Sequence, residues 1–501
     1  MANNHQNISL TKSLGTWEVM VAGVALVVAA STLVSDFSGF FTLGGAFAAA
    51  LIAGFFINLL LGMSAADLSV AYPKAGALYD YARAILGEKI GSFAGVFLGF
   101  AFFGVGAFAV SGESVAGAFG LKALLQSDLD IRYFILILYI LAVIPTILGI
   151  KTTAWVSAGL LLFMLGIRWF FGLAGFAGLG ATGDWSTANL SSDVGILDWF
   201  GQGGILTMGL ALAFWSFVGI EFACSLAEEV KQPKKSLPRG IILGLAVILS
   251  TSLIMGLGVT GTAPLPVWQT AINGEFGAGG QAPQLAAGQM MFGQIGYLLM
   301  ALASVAATLG SLVIIFTAMP RILYSIARKG HFFGPLSKPF GALYPQYKTP
   351  VIATVFTFIL FIIPALYNSA VIDWVFSAAY VWIILYMVFH LLAFANRTLH
   401  PNVPRAFAGR WFKPMTILGA IATLVALYYA FAGAHWQYGS RAFIVLSFAF
   451  VATVISFWLS SWQANKKRSG LFIPLTEADV LSGLERIPVS DNQAEFRNPK
   501  N

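Results

Sequence analysis

One cysteine, Cys224, in 501 residues excludes an intramolecular disulfide and leaves no sign of redox chemistry. Charge is scarce as well: Asp, Glu, Lys and Arg make up 10% of the chain, far below the ~25% usual in soluble domains. No His and Cys set is spaced for a metal, no nucleophile sits at readable spacing from a base, and no glycine-rich loop could cradle a phosphate. An enzyme, a metal site and a cofactor are therefore not expected, and direct drive by ATP is argued against. A short basic leader ending in small residues is missing too, so the first apolar run is expected to be retained. What remains is hydrophobic, at 58% of residues and a mean hydropathy of +0.82. This is the composition of an integral membrane protein. The net charge of +7 does not point to nucleic acid, because the basic residues lie in loops between apolar runs.

With about 20 apolar residues per crossing, twelve spans are predicted: 17–36, 42–64, 90–119, 131–149, 152–175, 204–227, 240–262, 293–326, 350–368, 371–396, 414–434 and 441–463. The third and eighth runs exceed a perpendicular crossing and are expected to tilt. All but four of the 28 Lys and Arg residues fall on the side that holds both termini, the exceptions being Lys122, Arg132, Arg168 and Arg441. The positive-inside rule then makes both termini cytoplasmic. The predicted organisation is a cytoplasmic start (1–16), ten core helices (17–396), two further helices (397–463) and a cytoplasmic tail (464–501), in which Thr476 and Asp479 could cap a short helix. Ala75 to Leu86 reads either as an amphipathic helix along the cytoplasmic interface or as a plain connector.

One stretch differs from a lipid anchor: GLALAFWSFVGIEFACSLAEEVKQPKKSLPRG, Gly209 to Gly240. It carries Trp215, Ser216, Gly219 and Glu221 at mid-depth. A membrane carboxylate costs about 2.5–3.5 kcal/mol on insertion scales, so it usually faces a cavity, a partner or a proton path. Gly219, flanked by β-branched Val218 and Ile220, is where helical hydrogen bonding can lapse, and a lapse is tolerated only inside protein or beside water. The charged run from Glu228 to Arg239, with Pro233 and Pro238, reads as a cytoplasmic loop.

From Phe214 onward this stretch resembles the sixth helix and following loop of the amino acid, polyamine and organocation transporters. AYPKAGALYDYARAILG, Ala71 to Gly87, is similar to that family's loop between helices 2 and 3. GSLVIIFTAMPRILYSIARKGHFF, Gly310 to Phe333, is similar to its eighth helix. The resemblance spans roughly Thr16 to Trp462. It implies an all-α secondary transporter of the leucine-transporter type, with two inverted five-helix repeats and discontinuous helices 1 and 6. The family's glycine-rich cluster in helix 1 is replaced here by Val27, Val28, Ala29 and Ala30. Backbone N–H groups at such a break favour a carboxylate and carbonyl ends favour an ammonium, although Val27 and Val28 restrict close approach.

The residues expected at the site are Val27, Val28, Ala29 and Ala30 on helix 1; Gly106 and Glu113 on helix 3; Phe214, Trp215, Ser216, Gly219 and Glu221 on helix 6; and Ser311 and Ile315 on helix 8. Trp215 could stack on a cation, or simply fill the core. Glu113 reads as an ammonium partner, a proton carrier or a water-bonded vestibule residue. Glu221 reads as a proton-sensing carboxylate or as a helix cap. The resemblance puts a lysine of proton-coupled relatives near Met164, so Arg168 is either a fixed charge near the ion site or a side chain reaching outward beside Trp169. Arginine-type exchangers have a tryptophan where this chain has Ile315, which argues against a guanidinium solute. Asp36, Asp67 and Asp373 are expected to cap helices or face water, and His390 to be structural. The expected activity is proton-coupled transport of a small amino acid across a bacterial-type inner membrane. An amine, polyamine or amino-alcohol permease is the first alternative and a transporter-like channel or receptor the second. Oligomeric state, sodium coupling and exchange stay open.

Overall fold

The computed structural model describes residues 10, 12–201, 203–367, 370–432 and 436–466. The proposed capped helix at Thr476 and Asp479 and the basic Lys467 and Arg468 lie outside them. Low charge and long apolar runs leave the backbone one economical way to satisfy its polar groups, and the described chain is helical, with only isolated bridges in place of strands. In order, the helices are α1 (Thr16–Val27), α2 (Ala30–Leu43), α3 (Gly45–Ala71), α4 (Leu78–Leu86), α5 (Ser92–Leu125), α6 (Ile131–Ile147) and α7 (Ile150–Phe176). Next come α8 (Ile205–Met208), α9 (Leu210–Trp215), a 3-10 segment (Ile220–Glu229), α10 (Pro233–Thr260), α11 (Leu265–Asn273) and α12 (Pro283–Arg328). The last are α13 (Ser337–Phe340), α14 (Val351–Tyr367), α15 (Val371–Leu399), α16 (Phe412–Ala432) and α17 (Trp436–Lys466).

Among the described residues nine helical segments are long and apolar enough to cross a membrane, and α1 with α2 makes a tenth, bent by 59°. The shorter apolar helices α6 and α14 occupy two further predicted runs. Large side chains such as Trp155, Phe163, Ile363, Phe448 and Trp458 are exposed along α7, α14 and α17, as a lipid-facing surface requires. The protein is a multi-pass membrane protein. Burial separates centre from rim: 94% of the α9 and 3-10 stretch is buried, against 28% for each of α16 and α17. Around that centre α10 packs on α1, α3 and α7, and α12 on α5 and α7. The α7–α10 crossing is close because both helices present glycine there, and a Cβ on Gly258 would lie 2.1 Å from the Gly172 carbonyl oxygen.

The helix that holds the eighth run begins earlier, at Pro283, and α12 loses helical geometry at Phe292 and Gly293, at the start of that run, where Gly293 has φ +57°. Two expectations are corrected. The charged run after helix 6 is mostly helix, because Pro233 starts α10 in the first-turn position where its missing N–H costs nothing. The segment after Ala75 is packed into the protein and not laid along its surface. In α4, Tyr79 and Tyr81 are fully buried and Arg83 is nearly so, paired with Glu88 at 2.8 Å. Asp80 accepts from the Gly76 N–H and the Ser325 hydroxyl.

Candidate functional site

α1 stops at Val27, Val28 turns out of helical geometry, and Ala29 starts α2 in extended conformation (φ −89°, ψ 172°). A helix start has free N–H groups, and alanine has no side chain to cap them. The cap arrives from α5. Glu113 accepts from the Ala30 N–H at 3.0 Å through Oε1 and from the Ser31 N–H at 2.9 Å through Oε2. The Thr308 hydroxyl of α12 donates to Oε1 at 2.6 Å. On the other side of the break, the Thr32 hydroxyl donates to the Val27 carbonyl.

The second break lies against the first. α9 ends at Trp215 and Gly219 has φ +122°, a backbone that side chains with a Cβ rarely adopt. A Cβ there would also approach Leu26 and Val27 to 3.0–3.1 Å. Glu221 caps the segment beyond. Its carboxylate accepts from the Gly219 N–H at 3.0 Å, from the Tyr386 hydroxyl at 2.7 Å and from the Trp382 indole N–H. Removing the Tyr386 hydroxyl leaves this buried carboxylate one donor short, a hydrogen bond to a charged group worth about 1.5–3 kcal/mol. Tyr386→Phe is expected to lower the melting temperature of the purified protein; an unchanged value means the bond contributes nothing.

Between the breaks is a small cavity of about 30 Å³, walled among others by Val27, Ala29, Ser31, Glu113, Trp215, Gly219, Phe222, Ser311, Ile315 and Trp382. That holds about two waters, so an organic solute must move the walls. The expected site residues therefore divide. Val27, Ala29, Glu113, Trp215, Gly219, Ser311 and Ile315 share this wall. Ala30 contributes its N–H to Glu113, and Val28 forms the turn. Phe214, Ser216, Glu221 and Gly106 are not on the wall. Phe214 packs on Tyr386, and Ser216 donates to Asp36 at 2.6 Å. A Cβ at Gly106 would meet Met319 Cε at 2.4 Å, so that glycine serves helix packing. Glu113 is no vestibule residue, since only 2% of it is exposed.

On the α2 side of the breaks, Arg168 and Asp36 are both fully buried and paired at 2.7 Å. Asp36 also accepts from Ser216 and Ser252, tying α2, α7, α9 and α10 together. Arg168 thus points inward, not out beside Trp169, and Asp36 is neither a cap nor wet. Asp67 pairs with Arg397 at 2.8 Å, and His390 Nδ1 is bonded to the Ser64 hydroxyl. At the end of the 3-10 segment, Glu229 pairs with Arg321 at 2.7 Å and Glu228 with Arg328 at 2.9 Å. The Ser13 and Leu14 N–H groups donate to the Glu229 carbonyl, and Lys231 N–H to the Leu14 carbonyl. Just beyond α12, burial and then the Arg83 charge lower the Lys329 pKa below the ordinary lysine value.

Sequence reasoning missed Trp382, Phe222, Thr308 and the Arg321–Glu229 pair. Trp382 and Tyr386 are four residues apart, hence on one face of a helix, and that spacing was the available signal.

The family model described as an amino acid permease matches residues 14–459. The chain belongs to that family. Like its relatives, the permease is a transporter and not an enzyme. It is 26% identical over 462 residues to an uncharacterized transporter of Rhizobium meliloti, covering 89% of this chain and 92% of that protein. It is 23% identical to a branched-chain amino acid permease of Bacillus subtilis, covering 70% of this permease and 73% of the relative. A vacuolar cationic amino acid transporter of Arabidopsis thaliana is 36% identical over 163 residues, and the permease spans 24% of its length.

Proposed function

We propose that this permease is a secondary transporter of an amino acid or a related amine that works by alternating access. The observation that carries the reading is the pair of helix breaks facing one another across a cavity, with a carboxylate from a third helix between them. Carbonyl ends, N–H ends and a carboxylate together can replace the hydration of a polar solute at mid-membrane. The breaks fall in the first and sixth of twelve predicted runs, which supports two inverted five-helix repeats within residues 17–396. α16 and α17, buried least, then stand as two accessory helices. The distribution of its basic residues supports an orientation with both termini cytoplasmic, in a membrane of the bacterial inner type.

The Arg321–Glu229 and Arg328–Glu228 pairs lie on that cytoplasmic side and act as its closure. Counterflow distinguishes a carrier from a channel. Proteoliposomes preloaded with unlabelled solute are expected to accumulate labelled solute transiently against its gradient; simple equilibration would make the protein a channel.

Proton coupling runs through Glu221 or Glu113, the two carboxylates at the breaks. Glu221→Gln is expected to flatten the pH dependence of initial uptake, measured on monodisperse protein. A profile that keeps its shape removes Glu221 from the coupling and leaves Glu113.

A further inference from the structure

The free N–H groups at the start of α2 are where a solute carboxylate would bind, and they are already filled from within. Glu113 reaches them from α5, with Oε1 on the Ala30 N–H and Oε2 on the Ser31 N–H, and the Thr308 hydroxyl holds it there. Its charge has no cationic partner among the described residues, and the cavity wall carries no Lys, Arg or His. The side-chain donors that line the wall are also committed. The Trp382 N–H goes to Glu221, the Trp215 N–H to Ser31, and the Thr32 and Ser311 hydroxyls to carbonyl oxygens. Only the Ser31 hydroxyl proton is left.

We propose, resting on the transporter reading above, that the solute is an organic ammonium without a carboxylate beside it, and that Glu113 is its counter-ion. A zwitterionic amino acid would bring a second carboxylate next to Glu113 in a site whose side-chain donors leave it only the Ser31 hydroxyl proton, and two carboxylates in one dry site do not both stay ionised. An ammonium meets the opposite: one carboxylate without a cationic partner among the described residues, in a wall that includes the aromatic side chains of Trp215, Phe222 and Trp382.

The test uses the full-length purified protein and matched pairs in which one member is the decarboxylated form of the other: serine and ethanolamine, ornithine and putrescine, leucine and isoamylamine. Thermal stabilisation is read first, then counterflow in proteoliposomes. At least one amine is expected to stabilise the protein and to show counterflow, while its parent amino acid does neither. Glu113→Gln, which keeps the shape and removes the charge, is expected to weaken amine binding by about 30-fold or more. Glu113→Ala opens the Ala30 and Ser31 N–H groups and is expected to gain binding of the parent amino acid, a change that loss of structure cannot produce. If both variants fail to fold, the paired ligands on the unaltered protein still decide. Parent amino acids that bind and exchange as well as the amines overturn this inference and leave the transporter reading standing. Amines that bind without any counterflow overturn the transporter reading and leave the specificity.

Discussion

Arg168→Leu is expected to destabilise the folded protein by about 3–5 kcal/mol, because it strands the Asp36 carboxylate in the protein interior without its counter-charge. Arg168 Nη2 and Asp36 Oδ2 are 2.7 Å apart with neither side chain exposed. Ser216 and Ser252 together cannot replace a full charge. Thermal unfolding of the purified protein measures the effect. The double variant Asp36→Leu with Arg168→Leu is expected to recover much of the loss, since replacing both members of a buried pair by apolar residues is often nearly neutral. A double variant as unstable as the single one means that the serines and the helix crossing depend on Asp36 itself. With its two serines the pair ties α2 to α7, α10 and the end of α9.

Gly219→Val is expected to slow transport strongly. The native φ of +122° is costly for a residue with a Cβ, of order 1–3 kcal/mol. In addition, the new side chain would start 3.0–3.1 Å from Leu26 and Val27, on the opposite break. Relief requires the Leu26 and Val27 side chains to give way, and both line the cavity. Initial uptake rates in proteoliposomes, normalised to inserted protein, are the readout, with a fall of about tenfold or more expected from strain of this size. Rates near those of the parent would mean that the broken segment is not part of the moving machinery.

How much of this was legible depended on how local its cause is. The break in helix 6 could be read from Gly219 and its β-branched neighbours, because the signal and the structure occupy the same few residues. The break in helix 1 had no such signal. Val28 and Ala29 do not break helices by themselves; the break is held by Glu113 on α5 and Thr308 on α12, and contacts between distant helices leave no mark in the composition of either segment. Asp36 was expected to cap a helix or face water for the same reason, since its partner Arg168 lies 132 positions away. The polarity of α4 suggested an interfacial helix, but its Asp80, Arg83 and Tyr79 side chains find Ser325, Glu88 and His331 as partners inside the protein. Glu113 itself stood out as a carboxylate among small residues. The residues it caps could not be read from its surroundings.

The parallel bridge between Leu14 and Val230 joins the chain just before α1 to the chain just after the 3-10 segment. The inner arms of both broken helices are therefore linked at their far ends and pressed together at their near ends, where Gly219 meets Leu26 and Val27. In the alternating-access reading proposed above, two arms fixed at both ends would swing as one lever, with the short stretch of backbone around Leu14 as its handle. A fusion partner attached immediately before that stretch would load the lever's moving end, whereas one attached after α17 would hang from a helix at the periphery.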